Sequence, residues 1–170
     1  MQKITTFLWF DDQAEEAAES YVSVFRARRE AHGGGGESQI LGVTRYGEAG
    51  PGTPGSAMVV RFMLDGQEFI ALNGGPRFPF TEAISLSVAA GSQAEVDQLW
   101  DALTEGGEES MCGWLKDRYG LSWQINPTKL GELLGDPDPE RAKRATEAML
   151  QMRKIDLAAL ERAADGAEQR

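Results

Sequence analysis

The chain has 170 residues, of which 41% are hydrophobic and 26% are charged. This balance is that of an ordinary globular protein, and the length suits one compact unit, or two similar halves, with a packed core. Acidic residues number 27 against 17 Lys plus Arg, which gives a formal net charge of -10. Negative charge repels phosphate backbones and anionic lipids, so we expect neither a nucleic-acid nor a membrane partner.

Cysteine and histidine each occur once, which limits the disulfides, metal sites and catalytic sites that the chain can form. Cys112 as the one cysteine excludes an internal disulfide and any multi-cysteine metal site, and it suits a reducing compartment. His32 precedes four glycines and is interpreted as a solvated loop residue, with no catalytic role. The apolar start, Met1 to Phe10, fits neither a secretory signal nor a membrane span. We therefore expect a cytoplasmic protein.

The first half of the chain predicts the order strand, helix, strand, strand, strand. Ile4 to Phe10 is rich in β-branched and aromatic residues, and Asp12 followed by Glu15 has the capping-box spacing that begins a helix. That helix is predicted to bury one apolar face, formed by Ala14, Ala17, Ala18, Tyr21, Val22 and Phe25. Glycine-rich stretches at 26–36 and 47–55 predict loops. Strands are predicted over 39–46, 56–64 and 68–73, the last two joined by an Asp65-Gly66 hairpin turn.

The second half repeats this order. A predicted strand over 83–89 leads to Ser92 and Glu95, a second capping box. The helix that follows is predicted to bury Val96, Leu99, Trp100 and Leu103. Two shorter strands are predicted over 114–119 and 122–126. The tripeptide Gln13-Ala14-Glu15 recurs 80 residues later as Gln93-Ala94-Glu95, which with the matched element order indicates an internal duplication.

After Pro127 the pattern becomes helical. Asp138 is predicted to cap a helix with Pro139 at its first position, and its apolar face comprises Ala142, Ala145, Met149 and Met152. A second helix is predicted from Leu157 to Ala164, after Asp156. We expect residues 128–170 to form a helical extension that packs on the sheets or on a partner subunit, with residues 165–170 frayed.

Three parts of the sequence carry a resemblance to a known family. They are Phe7-Leu8-Trp9-Phe10-Asp11 with Ala17-Ala18-Glu19-Ser20-Tyr21, then Leu72-Asn73-Gly74-Gly75-Pro76, and above all Cys112-Gly113-Trp114-Leu115-Lys116-Asp117 with Tyr119-Gly120-Leu121-Ser122-Trp123-Gln124. With the duplicated βαβββ order, they resemble the PhnB-like branch of the vicinal-oxygen-chelate superfamily, which includes glyoxalase I, bleomycin-resistance proteins and extradiol dioxygenases.

The resemblance implies an α+β fold of paired βαβββ modules that form curved half-barrel sheets. It places a two-module domain at 1–127, with modules at 1–80 and 81–127, and C-terminal helices over 128–170. It also implies a homodimer, in which paired modules can come from different chains, and a small-molecule pocket on the concave side of the sheets.

Enzymes of this superfamily hold a metal with His and Glu side chains, and this sequence departs from that pattern. The positions nearest the usual ligands are Thr5 or Thr6, Asn73, Ser85 or Ser87, and Gln124. None of these ionises near neutral pH, and neutral oxygens alone carry too little charge to compete with water for a divalent ion. We therefore predict no tightly held metal and no cofactor.

Eight residues are candidates for lining the pocket: Trp9, Asn73, Phe78, Ser85, Ser87, Cys112, Trp114 and Gln124. Strand alternation sends the two serines to the face opposite the helix, where they meet either a ligand or water, and the same holds for Gln124. Asn73 lies beside flexible glycines and either presents donors or forms a tight connection. The aromatic residues fit a pocket or a core, and Cys112 fits an inert thiol or a nucleophile without a histidine partner.

Two functions stay open from the sequence. One is the binding or sequestration of a small molecule without metal, as in the bleomycin-resistance relatives. The other is a lyase, isomerase or dioxygenase that acts on a small oxygenated metabolite with a loosely held metal. The missing His and Glu ligands favour the first. Methyl transfer, a common label in this branch, is not expected, because the chain lacks the doubly wound sheet and glycine-rich turn that hold a methyl donor.

Overall fold

The computed structural model describes residues 4–166, and the chain divides into two compact units between Phe80 and Thr81. Each unit contains one four-stranded mixed sheet with helices. The fold is therefore α+β and built from two βαβββ modules, as predicted. No helix within residues 4–166 is long and apolar enough to cross a membrane.

The first unit has the order β1-β4-β3-β2 in its sheet. Its elements are β1 (Thr6–Phe10), α1 (Ala14–His32), β2 (Gln39–Arg45), β3 (Ala57–Leu64) and β4 (Gln67–Asn73). Strand β1 runs parallel to β4, and the other pairs are antiparallel. Asp65 and Gly66 have φ values of 51° and 82°, which makes a type I′ turn between β3 and β4 and confirms the predicted hairpin.

Helix α1 buries its apolar face against the sheet, and all six residues predicted for that face are buried. The predicted Asp12 cap is wrong: the helix begins after Gln13, whose side chain makes no capping bond. The predicted loop at 26–36 is also wrong in its first half, because α1 continues to His32. Residues 26–31 are Arg, Ala and Glu, which favour helices, and Gly33 with φ 69° ends the helix. His32 is thus an exposed residue at a helix terminus.

The second unit repeats the connectivity of the first. Its elements are β5 (Ser85–Ala90), α2 (Gln93–Thr104), β6 (Glu108–Glu109), β7 (Trp114–Lys116) and β8 (Ser122–Pro127). The sheet order is β5-β8-β7-β6, with β5 parallel to β8 and the other pairs antiparallel. The equivalent order in both sheets is what an internal duplication predicts.

Helix α2 begins at the predicted cap and buries the predicted face. Ser92 Oγ accepts a hydrogen bond from the Glu95 backbone N–H. The Glu95 carboxylate accepts a hydrogen bond from the Gly91 N–H at 2.6 Å. In a standard capping box it would accept from the N–H of the capping residue, Ser92, so this bond reaches one residue further back. The helix packs on the sheet through Val96, Leu99, Trp100 and Leu103, all of which are buried.

Two strands of the second unit differ from their predicted extents. The strand predicted from residue 83 begins as β5 at Ser85, and Ile84 before it is 72% exposed. Strand β7 ends at Lys116, because the Asp117 side chain accepts hydrogen bonds from the Tyr119 and Leu121 N–H groups and turns the chain. The two-residue strand β6 was not predicted, since so short a segment has no measurable alternation.

The carboxyl-terminal segment forms α3 (Leu130–Leu134), α4 (Pro139–Met149) and α5 (Leu157–Ala164). The predicted Asp138 cap of α4 is confirmed, since its side chain accepts a hydrogen bond from the Glu140 N–H, and the Asp156 side chain caps α5 in the same way. Helix α3 was not predicted. The three helices enclose a small core around Leu130, Ile155 and Leu160. Of the end predicted to be frayed, residues 167–170 lie outside the described residues.

The extension is attached to the second unit by backbone and side-chain hydrogen bonds. The Gln93 amide at the start of α2 donates to the Ile155 carbonyl at 3.0 Å and accepts from the Leu157 N–H at 2.8 Å. The Cys112 N–H donates to the Met152 carbonyl at 2.7 Å. These bonds satisfy backbone groups of the segment between α4 and α5, which makes the extension part of the second unit.

Candidate functional site

The face of the second sheet turned away from α2 is polar. On β8 the alternate residues Trp123 and Ile125 are buried in the core that the sheet shares with α2. The intervening residues of β8 therefore project from the opposite face, and the register places Ser85 beside one of them, Ser122. We call this surface the polar face, and it comprises Ser85, Ser87, Ser122, Gln124 and Asn126.

Two amide side chains of the polar face donate to two serines. Gln124 Nε2 donates to Ser85 Oγ at 2.8 Å, and Asn126 Nδ2 donates to Ser87 Oγ at 3.1 Å. A contact of 3.5 Å also joins Asn126 Nδ2 to Gln124 Oε1. Each serine oxygen thus accepts an amide hydrogen, which leaves its own hydroxyl hydrogen available to donate. The polar face presents hydroxyl donors in a fixed arrangement.

Ser122 was not singled out from the sequence and is the least satisfied member of the polar face. The residue is 1% exposed, and its Oγ has no hydrogen-bond partner among residues 4–166. A buried hydroxyl without a partner costs about 1–3 kcal/mol. Its strand position relative to Gln124 could have placed it on this face, but its burial depends on tertiary structure.

A neutralised cation borders the polar face. Lys116 on β7 pairs in register with both Ser122 and Glu108, and its ammonium forms an ion pair with Glu82. The hydrogen bond between these side chains raises the pKa of Lys116 and lowers the pKa of Glu82. Both groups are therefore charged at neutral pH, and Glu82 balances the positive charge of Lys116 at the border of the polar face.

Trp114 and Cys112 lie at the other border of the polar face. Trp114 on β7 pairs in register with Gln124 and is half-buried. It follows a turn in which Cys112 and Gly113 both have positive φ, 59° and 81°. The N–H groups of this turn donate to the carbonyls of Met152 and Arg153, each at 2.7 Å. Cys112 therefore contributes its backbone to the attachment of the extension, and the residue is half-buried.

The other candidate residues lie in the first unit. The rings of Trp9 and Phe78 meet edge to face at 5.0 Å, and Trp9 Nε1 donates to the Gly75 carbonyl at 2.8 Å. Gly74 lies so close that a Cβ there would be 2.2 Å from the Trp9 ring. Only glycine fits at that position, and the loop after β4 packs closely against the Trp9 indole.

Asn73 uses its side chain to hold two elements of the first unit. Its Oδ1 accepts from the Ala14 N–H at 2.7 Å, which caps α1 in place of the predicted Asp12. Its Nδ2 donates to the Ala57 carbonyl at 3.0 Å. Asn73 therefore serves as a helix cap. The structure brings Trp9 and Phe78 together in the first unit. In the second unit it brings together the four candidates on one sheet face, Ser85, Ser87, Trp114 and Gln124.

In the first sheet, the face turned away from α1 has a different character. We call it the apolar face, and it comprises Phe7, Trp9, Val59, Ile70 and Leu72, which the register places side by side. Phe7 is 56% exposed. The charged groups on this face, Arg61 and Glu68, form an ion pair at 2.6 Å. This surface offers contact area but few hydrogen-bonding groups.

Two grooves lie between α1 and β2 in the first unit, with volumes of about 500 and 490 Å³. Arg26 and Glu30 line both grooves. None of the eight residues predicted from the sequence lines either of them. They are open surface depressions at the carboxyl-terminal half of the helix.

The residues at the superfamily's metal positions do not fit a tightly held divalent ion. Ser85, Ser87 and Gln124 offer neutral oxygens that are already joined in one hydrogen-bond network, and Asn73 caps a helix. Within residues 4–166, no three His, Cys, Asp or Glu side chains are grouped so that they could hold a metal ion. Hydroxyl and amide oxygens without a carboxylate or imidazole bind such ions weakly.

Two sheets with the same βαβββ connectivity define the class of this protein, the α+β fold of the vicinal-oxygen-chelate superfamily. Within that class, the model of the family described as 3-demethylubiquinone-9 3-methyltransferase matches residues 2–126. The chain belongs to this PhnB-like family. The match ends before α3, so the carboxyl-terminal extension lies outside it.

Solved structures agree with this assignment. A PhnB protein from Bacillus cereus, itself described as a 3-demethylubiquinone-9 3-methyltransferase, is 37% identical, with a TM-score of 0.65 over 75% of this chain and 100% of that chain. A protein from Pseudomonas aeruginosa is 23% identical, with a TM-score of 0.57 over 75% of this chain and 98% of its own. The fosfomycin resistance protein FosX from Listeria monocytogenes shares the fold at 12% identity, with a TM-score of 0.50 over 78% of this chain and 97% of its own. A comparison with curated proteins found no match.

Proposed function

We propose that this protein binds a small molecule on the polar face of its second sheet, without a tightly held metal. The observation that carries the proposal is the network in which Gln124 and Asn126 donate hydrogen bonds to Ser85 and Ser87. Sites for small molecules combine a few fixed polar groups with aromatic or apolar walls. Trp114, beside Gln124, supplies such a wall.

The alternative for a polar sheet face is simple contact with water, and the fixed geometry of this face argues against it. A face built only to meet water needs no hydrogen bonds among its own side chains, whereas Gln124 donates to Ser85 at 2.8 Å and Asn126 donates to Ser87 at 3.1 Å. Fixed directions of polar groups are typical of sites that bind small molecules.

Metal-dependent chemistry and methyl transfer are both disfavoured by the residues present. The donor set is neutral, as described above, so the protein's own hydrogen bonds must position the bound molecule. A methyl donor is usually held by a doubly wound parallel sheet. Each sheet here has one parallel strand pair and is not doubly wound. We therefore propose binding or sequestration as the function, and we take the family's methyltransferase description to be no guide to activity.

The assembly we propose for this function is a homodimer in the cytoplasm. It rests on the resemblance to the superfamily, in which modules pair within or between chains, and on the acidic charge, which disfavours nucleic acid and anionic membranes as partners. Native mass spectra of the purified protein count its subunits directly.

The same spectra test the function when the native mass is compared with the denatured mass. We expect a dimer that carries no metal ion, either bare or with the excess mass of an organic molecule. One metal ion per subunit that survives desalting would contradict the proposal and favour a metal-dependent lyase, isomerase or dioxygenase. The double variant Ser87→Leu with Gln124→Leu should lose any retained organic molecule. The control Ser23→Leu, at an exposed position on α1, should keep it.

A further inference from the structure

We propose, as an extension that rests on the function above, that the polar face selects an uncharged, planar molecule bearing an amide or a similar carbonyl group, and discriminates against the matching carboxylate. The juxtaposition behind this proposal is two oriented serine hydroxyls, a fixed Gln124 carbonyl, a neutralised lysine and Trp114 on one sheet face.

The hydroxyl groups define the acceptor side of the molecule. Because amide hydrogens occupy lone pairs of Ser85 and Ser87, these hydroxyls are oriented to donate. A carbonyl oxygen of the bound molecule can therefore accept a hydrogen bond from the Ser85 hydroxyl.

The Gln124 side chain defines the donor side. Its Nε2 is committed to Ser85, so the direction of its Oε1 is fixed, and the contact that Oε1 receives from Asn126 is long, at 3.5 Å. This carbonyl therefore keeps the capacity to accept a hydrogen bond. A group that accepts at one atom and donates at the next, such as a primary amide, matches both sides at once.

The charges around the polar face set its selectivity. Lys116 is the cation in the row of Ser85 and Ser122, and its charge is balanced by Glu82. Glu108 lies next to it in register, so the local surroundings carry more negative than positive charge. The whole chain adds a net charge of -10. A carboxylate entering here gains no free cation and meets repulsion, whereas a neutral amide meets neither.

Trp114 determines the shape of the rest of the molecule. Its position beside Gln124 on the same face places an aromatic surface next to the hydrogen-bonding groups. Aromatic side chains pack well against flat groups, in stacked or edge-to-face arrangements. A planar substituent on the amide can therefore rest on the indole while the amide meets the serines.

Benzamide and benzoate test this proposal as a matched pair, since both are planar and differ mainly in charge. Each is titrated into the full-length ¹⁵N-labelled protein, and the side-chain NH₂ signals of Gln124 and Asn126 and the Trp114 indole signal are followed by NMR. We expect benzamide to shift these signals, with benzoate binding at least about fivefold more weakly. Benzoate binding as tightly as benzamide would overturn the selectivity while leaving the proposed function intact.

Ser85→Ala identifies the donor. Loss of one neutral hydrogen bond should weaken benzamide binding about fivefold. Ser38→Ala is the matched control, because Ser38 Oγ also accepts an N–H hydrogen bond, from Asp65, but lies far from the polar face in sequence. It should leave benzamide affinity unchanged. Unchanged affinity in Ser85→Ala would overturn the assignment, as would shifts confined to residues outside the polar face.

Failure of the ligand class and failure of the function are distinguishable. If neither probe shifts the polar-face signals but native spectra show a retained organic molecule that Ser87→Leu with Gln124→Leu releases, the class is wrong and the function stands. If no probe binds and no molecule is retained, both proposals fail.

Discussion

The two sheets of this protein have the same connectivity but opposite surface chemistry. On the side turned away from the helix, the first sheet has Phe7 beside Ile70, and at the equivalent places the second sheet has Ser87 beside Gln124. The helix-covered sides are alike, since both are packed with aliphatic and aromatic residues. Duplication thus preserved the side of each sheet that the helix covers, while the opposite side was free to diverge.

This difference indicates which sheet carries recognition. A surface of apolar side chains with one ion pair gains little specificity, because dispersion and burial are not directional. A surface of joined serine and amide groups specifies where donors and acceptors of a bound molecule must lie. We therefore assign recognition to the second sheet.

The largest effect should come from the helix-covered sides, where the sheets are equivalent. Phe62→Ala in the first unit and Trp123→Ala in the second each remove a fully buried ring. We expect each substitution to lower the free energy of unfolding by about 3–5 kcal/mol, measured by urea denaturation. A loss below about 1 kcal/mol in only one of the two would show that the helix-covered sides are not equivalent.

Substitutions of two buried serines, one in each unit, should change the free energy of unfolding by smaller and unequal amounts. Ser38→Ala deletes an acceptor for the Asp65 N–H and should lower the free energy of unfolding by about 1–2 kcal/mol. Ser122→Ala deletes a buried hydroxyl without a partner in residues 4–166, so the ligand-free protein should be unchanged or up to about 1 kcal/mol more stable. Equal destabilisation by both substitutions would mean that Ser122 has a structural partner after all.

Making the polar face resemble the apolar one sharpens the comparison further. Gln124 occupies in β8 the place that Ile70 occupies in β4, so Gln124→Ile copies the first sheet into the second at this position. We expect the free energy of unfolding to change by less than about 1.5 kcal/mol, since the lost amide bonds are offset in part by apolar burial. Benzamide-induced shifts should vanish. Retained binding in this variant would remove Gln124 from the site.

The smallest effect concerns the outer strand of the second sheet and its response to pH. A hydrogen bond from the Trp100 indole, with a further contribution from Arg153, lowers the pKa of Glu109 below its ordinary value of 4.5. A lowered pKa means that the stabilisation is present above the unfolded-state pKa and is lost as the pH falls through the folded-state value. The Trp100 indole N–H signal should therefore titrate with a midpoint below 4.5.

Glu109→Gln provides the control for that titration. The variant should keep a hydrogen-bond acceptor for the indole but lose the pH dependence of its signal. A midpoint at or above 4.5 in the unsubstituted protein would mean that the indole does not stabilise the ionised carboxylate.

Local sequence signals predicted most of the fold. The period of buried residues in α1 and α2, the Asp65-Gly66 turn and the caps at Ser92 and Asp138 all depend on residues within a few positions of one another. The Asn73 cap of α1 does not, because 59 residues separate it from Ala14. Such a contact requires the strand register, which no local pattern contains.

The candidate site could be predicted only in part for the same reason. Alternation along β5 and β8 is local, and it predicted correctly that Ser85, Ser87 and Gln124 share a face. The burial of Ser122 and the neutralisation of Lys116 by Glu82 arise from packing and from side chains distant in sequence. The identity of the bound molecule depends on these features more than on the strand pattern.

A crystal structure of the protein soaked in benzamide would test the central claim most directly, because it locates the bound molecule on one sheet or the other. We predict density on the second sheet, with the amide group at Ser85 and Gln124 and the ring against Trp114. Benzamide bound on the apolar face of the first sheet, with only ordered water over the serines, would contradict the account.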